Sequence, residues 1–134
     1  MTLRLEDDKM CYVCGSKNEK GLRLSFEHSK EGHLRTTVVF DKSHQGFKDM
    51  VHGGVVAMVL DEMMVNLAWK EGMPAVTAEL KVRLKKPIRV GEKVCFEGTI
   101  EKRLRKIVYA SSTAKNLDGE ILASAWAACL CVDK

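Results

Sequence analysis

The stretch from Gly53 to about Lys70 constrains the fold more than any other part of this chain of 134 residues. It opens with two consecutive glycines, is closed by Gly72 and Pro74, and is apolar on nearly every face. Such boundaries predict a helix, and a helix that is apolar all round has to be buried. Because a chain of this length forms a single domain, the remaining residues must enclose that helix.

Strand patterns occupy both sides of the predicted helix. Residues of alternating polarity, many of them β-branched, predict six strands, at 22–27, 34–40, 76–84, 94–104, 107–115 and 121–132. Short turns join consecutive strands, and this arrangement is typical of an antiparallel sheet. The sequence therefore predicts an α+β domain at 21–134, in which an antiparallel sheet of five to six strands wraps around one long buried helix. Residues 1–20 are expected to form an irregular lead-in.

Composition excludes several classes of protein. The formal charge is only +4, from 22 Lys and Arg against 18 Asp and Glu, and no basic stripe is interleaved with aromatic residues, so nucleic-acid binding is not expected. No apolar run approaches the roughly 20 residues that span a bilayer. The N-terminus has early acidic residues and no apolar signal segment. We therefore expect a cytoplasmic protein that does not bind a membrane.

The five cysteines are an odd number, and no export signal accompanies them, so a disulfide scaffold is not expected. Cys11 and Cys14 form a CxxC pair, and Cys129 and Cys131 form a CxC pair near the other end. Four thiolates could bind zinc if the two ends met in space, although the second pair lacks the usual zinc-finger spacing. The favoured interpretation is small buried thiols, and no metal site is predicted.

Asp61 is the residue of the predicted helix whose surroundings are least expected. On a helical projection Glu62, Asn66 and Lys70 share one stripe and form the polar side of the helix. Asp61 lies away from that stripe, with apolar residues one turn to either side. A carboxylate in such a place costs free energy unless another group satisfies it. It could be a general base or a nucleophile, or it could cap a loop or pair with a distant Lys or Arg.

The start of the helix, His52-Gly53-Gly54, is the second unusual feature. Free N–H groups at a helix start attract negative charge, and glycine lets a ligand approach the backbone closely, so this turn could polarise a carbonyl. A tight turn that simply needs glycine is the alternative. His52 precedes Asp61 by nine residues, or about 13 Å of helix. That is too far for both to flank one carbonyl, whereas a symmetric dimer would place one helix start opposite the other Asp61.

These segments resemble a known family. The runs HQGFKDMVHGGVVAMVLDEMM at 44–64 and VTAELKVRLKKPIRVGE at 76–92 are similar to hotdog-fold acyl-CoA thioesterases of the phenylacetate-pathway-like branch. The opening CYVCGSKNEKGLRLSF at 11–26 is also similar to that of many members, so the resemblance spans Cys11 to Cys129. It implies a hotdog fold and a homodimer, or a dimer of dimers, that hydrolyses an acyl-CoA thioester at the subunit interface without a cofactor.

The resemblance also implies roles for individual residues. Asp61 matches the catalytic carboxylate, which acts as general base on water or as nucleophile. The backbone N–H of Gly54 or Gly53 matches the group that polarises the thioester carbonyl. His52 is expected to orient that turn or to contact the thioester. Thr77 matches a hydroxyl that places the attacking water in some members.

Substrate contacts are implied less sharply. Some members carry an Asn six residues before the HGG histidine, where this chain has Gly46, so that contact is either absent or made by Gln45 or His44. The methionines of the helix, Met64 among them, are expected to line an acyl pocket. The Arg105-Lys106 pair resembles a basic pair that contacts the nucleotide portion of CoA. Other candidate partners of the CoA phosphates, each also compatible with an ordinary charged surface, are Arg83, Lys85, Lys86 and Arg103.

Two other functions of such a fold are weighed against hydrolysis. A non-catalytic acyl-CoA sensor would pass its signal to an attached DNA-binding segment or another partner, but residues 1–20 are too short and irregular for a helix-turn-helix. A dehydratase or hydratase would need a second acid or histidine spaced to act with Asp61. No such residue is evident in the sequence, and hydrolysis is favoured.

Overall fold

A computed structural model describes residues 4–132 and contains one long helix and five strands. In chain order they are β1 His33–Val39, α1 Gly53–Lys70, β2 Ala75–Leu84, β3 Lys93–Arg103, β4 Ile107–Lys115 and β5 Ile121–Cys131. All neighbouring strands are antiparallel, in the order β1-β3-β4-β5-β2. The predicted α+β architecture is confirmed, with the helix matched at both ends. None of the helices in the described part of the chain is long and apolar enough to cross a membrane.

The core lies between α1 and the sheet. Leu60, Met63 and Leu67 of the helix are completely buried, as is Phe96 of β3. Each such side chain contributes about 1.5–3 kcal/mol of transfer free energy relative to an exposed position. Gly98 of β3 lets the backbones approach closely, because a Cβ there would lie 2.4 Å from the Met63 carbonyl oxygen. The buried helix is therefore fixed against the centre of the sheet.

The strand predicted at 22–27 is wrong. The N–H groups of Leu22 and Leu24 donate to the carbonyls of Tyr12 and Val13, at 2.9 and 2.8 Å, and so pair with the lead-in. Arg23 between them has φ of 51°, a left-handed conformation that no regular strand contains. One isolated bridge, from Glu27 to β1, connects this segment to the sheet. The sheet consequently has five strands.

A β-bulge changes the register of β2, which is an edge strand. Thr77 lies opposite Cys129 of β5, whereas Leu80 lies opposite Ala127, so three steps on β2 match two on β5. Since side chains alternate between the faces of a sheet, this extra residue lets both Thr77 and Leu80 point to the helix side. The uninterrupted alternation predicted for 76–84 is therefore wrong.

The second half of β2 is exposed in the single chain. The prediction of a half-buried strand holds only near its start, because residues 78–84 all lie at the surface. Leu80, Val82 and Leu84 are 37%, 37% and 53% exposed. Leu84 reaches the start of α1, where a Cβ on Gly53 would lie 2.8 Å from its Cδ1. An unpaired strand edge with apolar side chains is a surface that favours pairing with another strand.

Candidate active site

The carboxylate of Asp61 is satisfied by a hydroxyl from the neighbouring strand. Thr77 Oγ1 of β2 donates to Asp61 Oδ1 at 2.6 Å. Within residues 4–132 Asp61 forms no ion pair with Lys, Arg or His. A distant basic partner, one of the alternatives that the sequence left open for Asp61, is thus not observed among these residues. A half-buried carboxylate held by one neutral donor is able to accept a proton or attack an electrophile.

Asp61 and Thr77 line a cavity of about 800 Å³ between α1, the start of β2 and the lead-in. Val65 and Trp69 form part of its apolar wall, and Glu62 lies beside Asp61 on the helix. Cavities of a few hundred to about 1,000 Å³ with apolar walls and a few polar groups are typical of small-molecule sites. This cavity is large enough for a thioester and part of its acyl chain.

Cys129 lies directly behind the Asp61–Thr77 pair. It is fully buried on β5, opposite Thr77. Burial, and to a lesser extent the nearby Asp61 charge, raise the pKa of the Cys129 thiol to about 11. The thiol is therefore protonated at neutral pH and is not a nucleophile. The sequence favoured a small buried thiol for Cys129, as observed, but did not predict its position behind Asp61.

The two glycines at the start of α1 differ in whether their N–H groups are hydrogen-bonded. His52 is the N-cap residue, and its Nδ1 accepts a hydrogen bond from the Gly54 N–H at 2.9 Å. The proton of the neutral His52 ring therefore lies on Nε2. No acceptor within residues 4–132 takes the Gly53 N–H. Gly53, at the positive end of the helix dipole, is thus the available donor of the two glycines that the sequence left open.

The loop before the helix uses its polar side chains internally. His44 Nδ1 accepts from the Asp41 N–H at 3.2 Å, and Gln45 Oε1 accepts from the Asp49 N–H at 3.0 Å. Gly46 packs on His52, since a Cβ there would lie 3.3 Å from the His52 Cα. These contacts fix the loop against the helix start and bring Gly46 to the edge of a second cavity.

The second cavity, of about 360 Å³, lies at the helix start and is lined by His52, Gly53, Leu84 and Lys85. It does not include Asp61, which lies eight residues further along α1, or about 12 Å. A single chain therefore does not bring Gly53 and Asp61 to one carbonyl, as the spacing in the sequence predicts.

The predicted phosphate partners lie in several places. Arg105 and Lys106 are exposed in the turn between β3 and β4. This turn is at the same end of the sheet as Thr77, because Ile107 and Val76 are both paired with Leu130.

Other predicted contacts have different surroundings. Arg83 is exposed on β2, Lys86 pairs with Glu120, and Arg103 pairs with Glu71. Met64 is completely buried in the core and does not line the cavity beside Asp61.

The polar stripe of the helix is exposed at Lys70 but not at Glu62 and Asn66, which are half-buried. Glu62 is half-buried, lies 3.9 Å from Cys11 Sγ, and accepts a hydrogen bond from Asn66 at 3.3 Å. Burial raises the pKa of Glu62, despite hydrogen bonds from its neighbours. Burial and the nearby Glu62 charge likewise raise the pKa of the Cys14 thiol far above its usual range. The CxxC pair thus meets Glu62, and Cys129 and Cys131 are not part of this cluster.

Comparison with known proteins identifies the family. The model of the thioesterase superfamily matches residues 49–123, more than half of the chain and all of the segment from His52 to Thr77. The chain belongs to the thioesterase superfamily. The resemblance drawn from the sequence is therefore confirmed at the level of the superfamily.

This member of the thioesterase superfamily is similar to a named thioesterase and to proteins whose structures have been solved. The acyl-coenzyme A thioesterase THEM4 of Mus musculus is 32% identical over 78 residues, which are 58% of this chain and 34% of the relative. The chain thus spans about a third of the length of that relative. The crystal structure of the thioesterase superfamily protein RHA08564 matches with a TM-score of 0.85 and 25% identity, over 93% of this chain and 61% of that one.

A third similar structure contains a ligand. The hypothetical thioesterase of Streptococcus pneumoniae TIGR4, solved with coenzyme A, matches with a TM-score of 0.78 and 16% identity, over 83% of this chain and 87% of that one. Its Asp-to-Ala and Thr-to-Ala variants, altered sixteen residues apart, have also been solved. These likenesses confirm the hotdog thioesterase fold.

Proposed function

We propose that this protein hydrolyses an acyl-CoA thioester at an interface between two copies of the chain. The observation that carries the proposal is the Thr77–Asp61 hydrogen bond, which holds a carboxylate in the wall of a large cavity. Among residues 4–132 this carboxylate has no cationic partner. The membership of the thioesterase superfamily supports the reaction class. The names of the mouse acyl-CoA thioesterase and of the CoA-bound structure support the substrate class.

The exposed edge of β2 supports the dimer. When two antiparallel strands pair about a two-fold axis, the first residues of each lie opposite the last residues of the other. Thr77 at one end of β2 contacts Asp61, and Leu84 at the other end contacts Gly53. Pairing of two β2 edges would therefore bring the helix start of one copy toward Asp61 of the other. It would also cover Leu80 and Val82, which a single chain exposes.

In this arrangement the two halves of the site have separate tasks. The Gly53 N–H of one copy polarises the thioester carbonyl and stabilises the oxyanion that forms on it. Asp61 of the other copy either takes a proton from the attacking water or attacks the carbonyl carbon itself. Thr77 fixes the orientation of Asp61 and the path of the water, and His52 holds the helix start in shape. When water attacks, the carbon–sulfur bond breaks and the thiolate of CoA takes the proton that Asp61 removed from the water. When Asp61 attacks, the carbon–sulfur bond breaks to leave an acyl anhydride on Asp61; water then hydrolyses this anhydride to the free acid, and the thiolate of CoA takes a proton from that water.

The charged surface near the site suits the phosphates of CoA. Arg105 and Lys106 lie at the Thr77 end of the sheet, and the same two-fold pairing would bring Lys85 and Arg83 of the second copy to that end. We propose that these side chains bind the phosphates, while Gln45, His44 and Gly46, next to His52, lie near the thioester. Because the sixteen-residue spacing of Asp61 and Thr77 also separates the two altered positions of the Streptococcus pneumoniae protein, it supports a joint role for this pair.

The decisive experiment is thiol release from a panel of acyl-CoAs by the parent protein and by Asp61→Asn. Phenylacetyl-, benzoyl-, hexanoyl- and palmitoyl-CoA span aromatic and aliphatic acyl groups. We expect turnover by the parent and a loss of about 10²–10⁴-fold in the variant, the usual contribution of a general base. Asp118→Asn, an exposed acid in the turn between β4 and β5, is the matched control and should keep the parental rate.

Two results would contradict the proposal. Asp61→Asn that hydrolyses as fast as the parent would remove Asp61 from the chemistry. Tight binding of acyl-CoA by the parent, seen as a rise in melting temperature without any turnover, would favour a non-catalytic sensor.

A further inference from the structure

The lead-in crosses α1 at a cluster of four side chains that the proposed reaction does not use. Cys11 and Cys14 come from the lead-in, and Glu62 and Asn66 come from successive turns of the helix. One ligand atom from each of Cys11, Cys14 and Glu62 lies within 4.8 Å of the others. These atoms gather at the edge of the Asp61 cavity, although Cys11 and Glu62 are 51 positions apart in sequence.

The CxxC segment forms a tight turn that directs both thiols to one point. The Gly15 N–H donates to the Cys11 carbonyl at 2.8 Å, and the Cys14 N–H donates to Cys11 Sγ at 3.5 Å. A Cβ on Gly15 would lie 2.4 Å from the Cys11 nitrogen, so the turn closes only around glycine. An N–H group directed at the first sulfur stabilises the thiolate form that binds metals.

Asn66 completes the cluster from the helix. Its Nδ2 lies 3.3 Å from Glu62 Oε2 and 3.8 Å from Cys14 Sγ. Its Oδ1 is fully buried and has no hydrogen-bond partner among residues 4–132. In this orientation Nδ2 donates to Glu62 and Cys14, whereas an exchanged amide would place Oδ1 beside the same two side chains, an arrangement that a cation between them would stabilise. With the two ends exchanged, Oδ1 would be a fourth donor atom.

We propose that Cys11, Cys14, Glu62 and Asn66 bind one zinc ion. Zinc in a tetrahedral site lies about 2.3 Å from sulfur ligands and about 2.0–2.2 Å from oxygen ligands. The edges of such a tetrahedron, which are the distances between two ligand atoms, are then about 3.6 Å from sulfur to oxygen and about 3.4 Å from oxygen to oxygen. The observed edges are 3.9 Å from Cys11 Sγ to Glu62, 3.8 Å from Cys14 Sγ to Asn66 and 3.3 Å from Asn66 to Glu62. Along these three edges the atoms need to move by only about 0.1–0.3 Å, and the ligand atoms of Cys11, Cys14 and Glu62 all lie within 4.8 Å of one another.

The donor set selects the class of metal. Two thiolates favour zinc and related borderline-soft ions over magnesium and calcium, which prefer oxygen alone. A dication also neutralises two of the negative charges that the three acidic groups would carry when ionised. With four donors the ion has no open position, so its role is to fasten the lead-in to α1 beside the Asp61 cavity. This site does not depend on thioester hydrolysis.

Metal binding by the full chain tests the site directly. Protein stripped of metal under reducing conditions is dialysed against zinc and its bound metal is measured. We expect one zinc per chain in the parent, and a loss of at least tenfold in affinity in Cys14→Ser and in Glu62→Gln, which keeps the shape of the side chain. Cys131→Ser removes a half-buried cysteine outside the cluster and should bind zinc like the parent. Cobalt in place of zinc should give sulfur-to-metal charge-transfer absorption that Cys14→Ser weakens.

Three outcomes would overturn the proposal. The first is that the parent binds no zinc when all five thiols are reduced. The second is that Cys131→Ser loses as much zinc as Cys14→Ser does. The third is that Glu62→Gln binds zinc as tightly as the parent. A Cys11–Cys14 disulfide in the freshly purified protein, with no zinc taken up after reduction, would assign the pair to redox chemistry instead. Circular dichroism of each variant establishes that it is folded, and Glu62→Gln decides the question if Cys14→Ser is not.

Discussion

Thr77 and Asp61 are joined across the helix–sheet boundary by a 2.6 Å hydrogen bond from Oγ1 to Oδ1. A β-bulge follows Thr77 in β2. Because of this extra residue, Thr77 and the later residue Leu80 both point to the helix side of the sheet. The hydroxyl occupies one oxygen of a carboxylate that lines the large cavity. Orientation of Asp61 therefore depends on one neutral side chain, which can be removed without changing the charge of the site.

Replacement of Thr77 by valine tests this dependence. Thr77→Val keeps the branched shape but removes the donor, so we expect kcat to fall by about 10–100-fold because Asp61 loses its fixed orientation. Thr77→Ser retains the hydroxyl and should recover most of the rate. Thr113→Val on β4 is a matched control with no expected effect. Equal kcat values for parent and Thr77→Val would show that the hydrogen bond is structural only.

The exposed edge of β2 leads to a prediction about assembly. A lysine at Val82 places a charge in the proposed apolar interface between two β2 strands, where pairing of the strands would bury it. We expect Val82→Lys to be monomeric in sedimentation and to lose acyl-CoA hydrolysis, because Gly53 and Asp61 then lie in separate molecules. Val39→Lys alters a residue that is 57% exposed on β1, the opposite edge, and should remain active. A monomeric Val82→Lys with parental activity would contradict a shared site.

A buried carboxylate at the end of α1 predicts how stability depends on pH. Glu71 is only 4% exposed and binds the Gly32 N–H, His28 and Arg103. Burial alone would raise the pKa of Glu71, but these three partners hold it below its ordinary value of 4.5. Because folding lowers this pKa, the stabilisation is complete above about pH 4.5 and is lost as the pH falls through the folded value.

Urea denaturation of Glu71→Gln between pH 7 and pH 3 measures this contribution. We expect a lower free energy of unfolding than the parent at pH 7, and a difference that shrinks toward pH 3. Glu31 is the matched control, since its carboxylate lies 3.9 Å from the same Arg103 but is 88% exposed. Glu31→Gln should change stability little, as expected of a solvent-screened pair. A difference between Glu71→Gln and the parent that stays constant with pH would exclude this linkage.

The sequence pattern predicts correctly those elements whose bounds depend only on residues within the element or next to it. The helix boundaries follow from Gly53 at one end and Gly72 at the other, and β4 was predicted at its observed bounds because its alternation is regular. The segment from Leu22 to Glu27 alternates equally well, yet it pairs with the lead-in. Periodicity cannot report which partner a strand-like segment will find.

The parts that sequence reasoning missed depend on contacts between distant residues. The bulge after Thr77 is a mismatch with β5 and leaves no signal in the composition of β2. Glu62 and Asn66 have the spacing of a solvated stripe, and only the position of the lead-in buries them against Cys11 and Cys14. Asp61 was recognised because a carboxylate among apolar residues needs a partner, although the pattern could not name Thr77.

The basic turn between β3 and β4 gives a prediction that separates binding from chemistry. Arg105 and Lys106 are exposed, lie at the Thr77 end of the sheet, and have no ion-pair partner among the described residues. If they bind the phosphates of CoA, Arg105→Ala with Lys106→Ala should raise KM for an acyl-CoA by at least about tenfold and leave kcat unchanged, because a single charge-assisted contact contributes about 1.5–3 kcal/mol. The same acyl group on pantetheine lacks the nucleotide phosphates, so its KM should be equal in parent and variant.

Arg89→Ala, which removes an exposed cation away from this turn, is the control. An equal rise of KM for the CoA and pantetheine esters would place the phosphate contacts elsewhere, with Lys85 as the next residue to alter.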